Sequence, residues 1–181
     1  IEVMFVMTNF YKTIKKAQPN TRIKKLIVTN LKEALPPVLR VLFTLAKEKK
    51  SGFRIEGGLA EGDIWFQDML TKYANTPRPK LDITSEDTAL FQYSGGTTGI
   101  SKAAVATHRN VLADTLQIKV WMTNLNEGKE IVLMAIPLFH VYGMVAGLLF
   151  GMASGASMVM IPNARDIPDV LENIHKYNPT I

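Results

Sequence analysis

Phe91-Gln92-Tyr93-Ser94-Gly95-Gly96-Thr97-Thr98-Gly99-Ile100-Ser101-Lys102 is the stretch on which the reading of this chain turns. Ahead of it, Thr88 to Gln92 has the composition of a short buried strand, introduced by Ser85-Glu86-Asp87. Behind it, Val111, Leu112, Thr115, Ile118 and Met122 fall at helical spacing between Thr107 and Met122, with Thr107 placed to cap the helix. The expected order is strand, glycine loop, helix. The loop holds what a phosphate group needs: glycines that let backbone N–H groups converge on an anion, hydroxyls that add adaptable donors, and the Lys102 ammonium as a compact countercharge. The Walker A spacing is not met, because the fifth residues after Gly95 and Gly96 are Ile100 and Ser101, and no GxGxxG fingerprint is present. On residue chemistry alone, a flexible glycine turn accounts for the stretch equally well.

Working outward, the first part of the chain reads as a helix over Phe5 to Gln18, a buried strand Lys25 to Thr29, a Pro36-Pro37 break and a helix from Val38 to Lys49. Loops follow from Ser51 to Pro79, with one short helix, Ile64 to Tyr73, that Asp63 could cap. The cluster Asn75-Thr76-Pro77-Arg78-Pro79 marks a linker near 74–80 and separates residues 1–79 from a core of 80–181. Past Asn126-Glu127-Gly128 come a strand Ile131 to Ile136, an apolar segment Phe139 to Ala153, a strand Ser157 to Ile161 and a helix Ile167 to Tyr177. This alternation predicts an α/β fold with a largely parallel sheet flanked by helices.

Val141 to Ile161 carries no charge, and Gly143, Gly147, Gly151 and Gly155 recur at every fourth position. Read alone, it has the length and small-residue pattern of a membrane helix, which would make the chain a membrane-associated or interaction module with an incidental glycine loop. Against this, Ser154-Gly155 interrupts the run and Ser157 to Ile161 favours a strand. A buried helix lying close to a sheet, then a buried strand, fits better. The methionines Met134, Met144, Met152, Met158 and Met160 are expected as core filling rather than as the lining of an acyl tunnel.

Composition agrees with a folded globular protein: 181 residues, 47% apolar, 20% charged, 12 Gly and 9 Pro. With no Cys, there is no disulfide framework, thiolate metal site or cysteine nucleophile, which fits a reducing compartment. The net charge of +5 comes largely from Lys12, Lys15, Lys16, Arg22, Lys24, Lys25, Lys47, Lys49 and Lys50, without the interleaved aromatics of a base-stacking surface, so no nucleic-acid partner is expected. Residue 1 is Ile and no signal-peptide pattern follows, so the chain is expected to be an internal piece of a longer protein.

The loop resembles the phosphate-binding motif of the adenylate-forming, or AMP-binding, enzyme superfamily. Ser101-Lys102-Ala103-Ala104-Val105-Ala106-Thr107-His108-Arg109-Asn110 resembles its long-chain fatty-acyl-CoA synthetase branch, as do Pro137-Leu138-Phe139-His140-Val141-Tyr142-Gly143 and Asn163-Ala164-Arg165-Asp166-Ile167-Pro168. The chain departs from the usual pattern at Ser101, where proline is common, and at Ala103, where glycine is common. The resemblance implies an ATP-dependent ligase: a carboxylate attacks the α-phosphate of Mg2+·ATP, and the thiol of coenzyme A then displaces AMP. It implies that Ser94, Gly95, Gly96, Thr97, Thr98, Gly99 and Lys102 hold the β- and γ-phosphates, with Lys102 closing over them, and that His140 lines the junction of the acyl and nucleotide pockets. Lys102 and His140 are then the catalytic candidates, while the metal ligands are undetermined. His108 and Arg109 are read as helix-start structure and His175 as a surface residue. The family's later motifs, including its magnesium, ribose and hinge residues, have no counterpart here. Residues 1–181 are therefore expected to be part of the large N-terminal domain, without the C-terminal domain, and inactive alone. The expected setting is cytoplasmic, with peripheral membrane contact as a route to fatty acids.

Overall fold

Leu26-Ile27-Val28 lacks the polar alternation of a half-exposed strand, as burial on both faces requires. In the computed structural model, which describes residues 1–94 and 101–181 and Ser94 by its backbone alone, this run is the centre of β2 (Lys25–Thr29). The contacts divide the chain into two units, Ile1–Lys80 and Leu81–Ile181.

In the first unit, β2 lies between β1 (Val3–Met7) and β3 (Ile64–Trp65), all parallel. The register runs from Val3 opposite Lys25 to Met7 opposite Thr29, and places Ile64 opposite Ile27. The helix expected from Phe5 therefore begins later, as α1 (Thr8–Ala17). Val3 to Met7 are extended because a strand more than twenty residues away pairs with them, and no local pattern records that. Val6, Tyr11, Leu26 and Val28 form the core, with Met4, Ile14 and Trp65 against it.

A second expectation fails at Asp63. Because Ile64 and Trp65 pair with β2, the following helix α3 starts at Phe66 (Phe66–Tyr73), with Trp65 at its N-cap and no side-chain cap. Asp63 turns inward instead, its side chain 2% exposed. Its carboxylate accepts from Tyr11 Oη at 2.7 Å and from the Leu26 N–H at 3.0 Å, and lies 3.1 Å from Lys15 Nζ. The Ala60 N–H donates to Tyr11 Oη at 2.8 Å, so the phenol is both donor and acceptor. Burial pushes the Asp63 carboxyl up, but these hydrogen bonds and the Lys15 ammonium outweigh it and hold the group below the ordinary carboxylate range.

Pro36 and Pro37 open α2 (Pro37–Ala46), the second proline in the first turn where its missing N–H costs nothing. The chain then turns through 47–50, which ends the helix short of the expected Lys49. Glu48 is buried in that turn, 2.7 Å from Lys32 Nζ and accepting from Asn30 Nδ2 at 2.9 Å.

In the second unit, β4 (Thr88–Ser94) pairs antiparallel with β5 (Lys102–Thr107), and α4 (His108–Trp121) follows. A separate parallel pair, β6 (Ile131–Met134) and β7 (Ser157–Met160), runs in register from Ile131 opposite Ser157 to Met134 opposite Met160. Val132, Met134 and Phe150 form its core, with Ile118 of α4 and Met122 just past the end of that helix packed against them. Between β6 and β7 the chain is helical over 141–153, π-wound at Gly143–Leu149 and ending in α5 (Phe150–Ala153). The last helix, α6 (Ile167–Tyr177), is capped by Asp166, whose carboxylate accepts the Asp169 N–H, and stops at left-handed Asn178. Thr180 and Ile181 run beside β6, the Thr180 N–H donating to Ile131 C=O at 2.8 Å and the Leu133 N–H to Ile181 C=O at 2.8 Å.

The glycine-spaced run is thus two elements, and its glycines already have a use. A Cβ on Gly143 would stand 2.5 Å from the Pro137 carbonyl oxygen, and one on Gly147 2.5 Å from Met134 Cε. The small face of this helix is therefore spent on Met134 of β6, the Ile136-Pro137 segment that follows it and Met158 of β7, and no helix among the described residues is long and apolar enough to cross a membrane. The alternative of a membrane or interaction module built on 141–161 is not supported. Met134 and Met158 do fill the core, whereas Met152 and Met160 are exposed.

Candidate functional site

β4 and β5 bracket the glycine–hydroxyl stretch. Their register pairs Phe91 with Val105, Gln92 with Ala104, Tyr93 with Ala103 and Ser94 with Lys102. The expected order of strand, glycine loop and helix is thereby corrected to strand, loop, strand, helix. Lys102-Ala103-Ala104-Val105-Ala106 has little intrinsic strand preference, and it is extended because β4 supplies its hydrogen bonds. The hairpin fixes where the loop leaves and returns: backbone Ser94 and exposed Lys102 are cross-strand neighbours at its mouth. Gly95, Gly96, Thr97, Thr98 and Gly99 lie outside the described residues, as does the side chain of Ser94.

α4 begins directly after β5, and its start is tightly held. Thr107 Oγ1 accepts the Asn110 N–H at 3.3 Å while Asn110 Oδ1 accepts the Thr107 N–H at 3.0 Å, a capping box that explains the Thr107-His108-Arg109-Asn110 string. The His108 N–H donates to Asp87 C=O at 3.1 Å and the Arg109 N–H to Ser85 C=O at 2.8 Å. Arg109 also pairs with Glu86. Asp87 accepts from the Thr84 N–H and hydroxyl, which together hold its carboxyl below the ordinary range. His108 and Arg109 therefore act as helix-start structure. Sequence reading missed this anchor of residues 84–87, although four hydroxyl or acidic side chains in a row just before a strand were a signal for it.

His140 sits on another element, at the entry to helix 141–153. Its N–H donates to Pro137 C=O at 3.0 Å, and its Nδ1 accepts the Tyr142 N–H at 3.2 Å. An accepting Nδ1 leaves Nε2 as the nitrogen that carries the proton of the neutral ring. The side chain is exposed. His140 thus has a capping role that spacing did not reveal. Among the described residues, no three His, Asp or Glu side chains converge as a metal cage.

Against known proteins, the profile of the family described as AMP-binding enzyme matches residues 2–181. A long-chain-fatty-acid–CoA ligase of Salmonella typhimurium is 29% identical over 179 residues, covering 96% of this chain and 31% of the relative. One from Bacillus subtilis is 29% identical over 184 residues, covering 100% of this chain and 32% of the relative. The chain thus spans about a third of the length of the curated relatives it matches. Among solved structures, a long-chain-fatty-acid-CoA ligase of Archaeoglobus fulgidus superimposes with a TM-score of 0.61 at 20% identity, over 99% of this chain and 29% of that one. A fatty acyl-adenylate ligase of L. pneumophila, in complex with acyl adenylate and pyrophosphate, gives 0.61 at 19%, over 94% of this chain and 27% of that one. At such identities the structures establish the fold. The profile covers nearly the whole sequence, including the β4–β5 hairpin and the helix it feeds, and on that ground the chain belongs to the AMP-binding enzyme family.

Proposed function

We propose that residues 1–181 are the phosphate-loop part of the N-terminal domain of a cytoplasmic, ATP-dependent long-chain fatty-acid–CoA ligase. The observation that carries the reading is the hairpin that sets Ser94 and Lys102 opposite each other at the two ends of a glycine–hydroxyl loop, in a chain of the AMP-binding family. In this reading the backbone N–H groups of Gly95, Gly96 and Gly99, the hydroxyls of Ser94, Thr97 and Thr98, and the Lys102 ammonium bind the β- and γ-phosphates of ATP. A fatty-acid carboxylate oxygen then bonds to the α-phosphorus as the bond to pyrophosphate breaks. The loop's share is to keep the leaving group aligned and to neutralise its growing charge, which is positioning plus electrostatic stabilisation. The coenzyme A sulfur next bonds to the acyl carbon, and AMP leaves. His140, its Nδ1 committed to the helix entry, offers Nε2–H to the carboxylate. When bound, magnesium would supply further countercharge on the triphosphate.

The test is ATP–pyrophosphate exchange and fatty-acyl-CoA formation by a full-length ligase carrying this segment. Lys102→Ala combined with Thr98→Ala is expected to lower kcat/KM by about a hundredfold or more. Undiminished turnover and ATP affinity would leave the stretch a plain glycine turn. Residues 1–181 by themselves are expected to form no thioester above background, since they correspond to about a third of the active relatives' length. Thioester formation by this chain alone would overturn that expectation.

A further inference from the structure

Thr8 and Asn9 open α1 with polar groups that no described residue satisfies. Thr8 is 4% exposed, and its hydroxyl has no hydrogen-bond partner; the side-chain carbonyl oxygen of Asn9 is likewise buried and unpartnered. A buried polar group without a partner costs its full desolvation, so two in succession at a helix start call for something to meet them. Met7 at the N-cap contributes no side-chain bond, and the first turn holds no acidic residue. The positive end of the helix dipole is therefore uncompensated as well.

Both residues line a cavity of about 1010 Å3 between α1 and the loop of residues 52–58. The charge on its walls is lopsided. Lys12, Lys16 and Arg54 line it, are exposed, and form no ion pair among the described residues. Lys15, also on the wall, is held by Asp63, and Glu56 is the one acid among the lining residues. Thr8, Lys12 and Lys16 fall at i, i+4 and i+8, along one face of α1, while Arg54 comes from the loop. The cations are thus spread over more than one helical turn, which a single carboxylate or phosphate does not span and two adjoining phosphates do. Ala17 and Ile55 add apolar wall for an organic body, and the volume is that of a small-molecule site, far beyond what an inorganic ion fills. Every lining residue falls within Ile1–Lys80, and the glycine–hydroxyl stretch does not.

We propose that this cavity binds a small organic diphosphate of the nucleoside diphosphate type. Its phosphates lie along the Thr8-Lys12-Lys16 face, where the helix N-terminus, the Thr8 hydroxyl and the two ammonium groups meet them, and Arg54 closes on them from the loop with its two-pronged guanidinium. The site is separate from the glycine loop, and the inference does not rest on the ligase reading.

The experiment is calorimetric titration of ADP into the 181-residue chain carrying Thr98→Ala and Lys102→Ala, so that the glycine loop does not contribute to the heat. A single equivalent is expected to bind, more tightly than AMP or inorganic phosphate. Lys12→Gln with Lys16→Gln should weaken ADP at least about tenfold, and Arg54→Gln about tenfold. Thr8→Val removes a hydroxyl that the protein itself leaves unpaired, so it should not lower the melting temperature, yet it should weaken ADP about fivefold. Lys47→Gln with Lys49→Gln removes the same charge outside the cavity and should leave the affinity within about twofold. Circular dichroism checks that each variant is folded, and Arg54→Gln, lying on the loop, keeps the test decisive if the α1 variants unfold. Failure of ADP to bind overturns the proposal, as does unchanged affinity in folded cavity variants. Equal weakening by the two lysine pairs would reduce the effect to general charge, and inorganic phosphate binding as tightly as ADP would leave a site for a lone anion; either result overturns it too.

Discussion

Two apolar helices of this chain meet opposite fates. The helix over 141–153 is pressed against β6, with Gly143, Val145, Gly147 and Phe150 buried, while α2 has comparable aliphatic content and buries nothing. The difference lies in residue size. Glycines on one face let a helix backbone come within contact distance of a strand, whereas Val38, Val41, Leu42 and Leu45 fill that side of α2 with bulk and leave Arg40 to make its close contacts. Apolar composition sets the tendency to leave water, but the shape of the face decides whether this chain's own sheet can receive it.

The comparison breaks most visibly at Gly143. A Cβ there would meet the backbone oxygens of Pro137 at 2.5 Å and Ile136 at 2.8 Å, and a backbone cannot step aside. Gly143→Ala is expected to cost about 3 kcal/mol in a urea melt. At Gly147 the obstacle is the flexible end of Met134, so Gly147→Ala should cost only about 1 kcal/mol. Equal costs at the two sites would mean that backbone proximity is not what places this helix.

A middle-sized effect tests whether the first unit draws its stability from its buried polar centre and not from α2. Asp63→Ala strands the Tyr11 hydroxyl and the Leu26 N–H, an expected loss of about 2 kcal/mol. The folded carboxyl lies below its ordinary value of 3.8. Its stabilisation is therefore complete above about pH 4 and is lost as pH falls through the folded value, where the unfolded chain binds the proton more readily. Melts at descending pH should show the wild type converging on Asp63→Ala. A gap that persists in acid would refute the assignment.

The smallest change sharpens the contrast from the other side. Leu45→Gln on α2 is expected to shift stability by less than about 0.5 kcal/mol, because the side chain is 81% exposed. A loss of more than about 1 kcal/mol would show that the stripe is packed after all.

Legibility followed the range of the interactions. Lys25–Thr29 and Ile167–Tyr177 were readable to the residue, the first as a short buried strand and the second as a helix, each from its own local pattern. Val3–Met7 and Lys102–Thr107 were not, since both are strands only by virtue of a partner. At the candidate site, the identity of the loop, Lys102 and His140 came from residue order. The pairing of Ser94 with Lys102, the clamp of residues 84–87 on α4 and the use of His140 Nδ1 as a cap did not. A motif records which groups a ligand would meet, but not what holds those groups in place.

What the sequence by itself determined, then, is the local chemistry: the Thr107 cap, the Pro36-Pro37 break, the glycine spacing of 141–153 and the stock of phosphate-binding groups between Ser94 and Lys102. Each depends on neighbours a few residues apart, where side-chain geometry and backbone preference act directly. Only the tertiary structure decided which strands pair, that Asp63 is a buried hub and not a cap, and that the stripe of α2 faces outward. Those outcomes depend on which distant surfaces close over one another, and burial is a property of the assembled chain that no single segment carries.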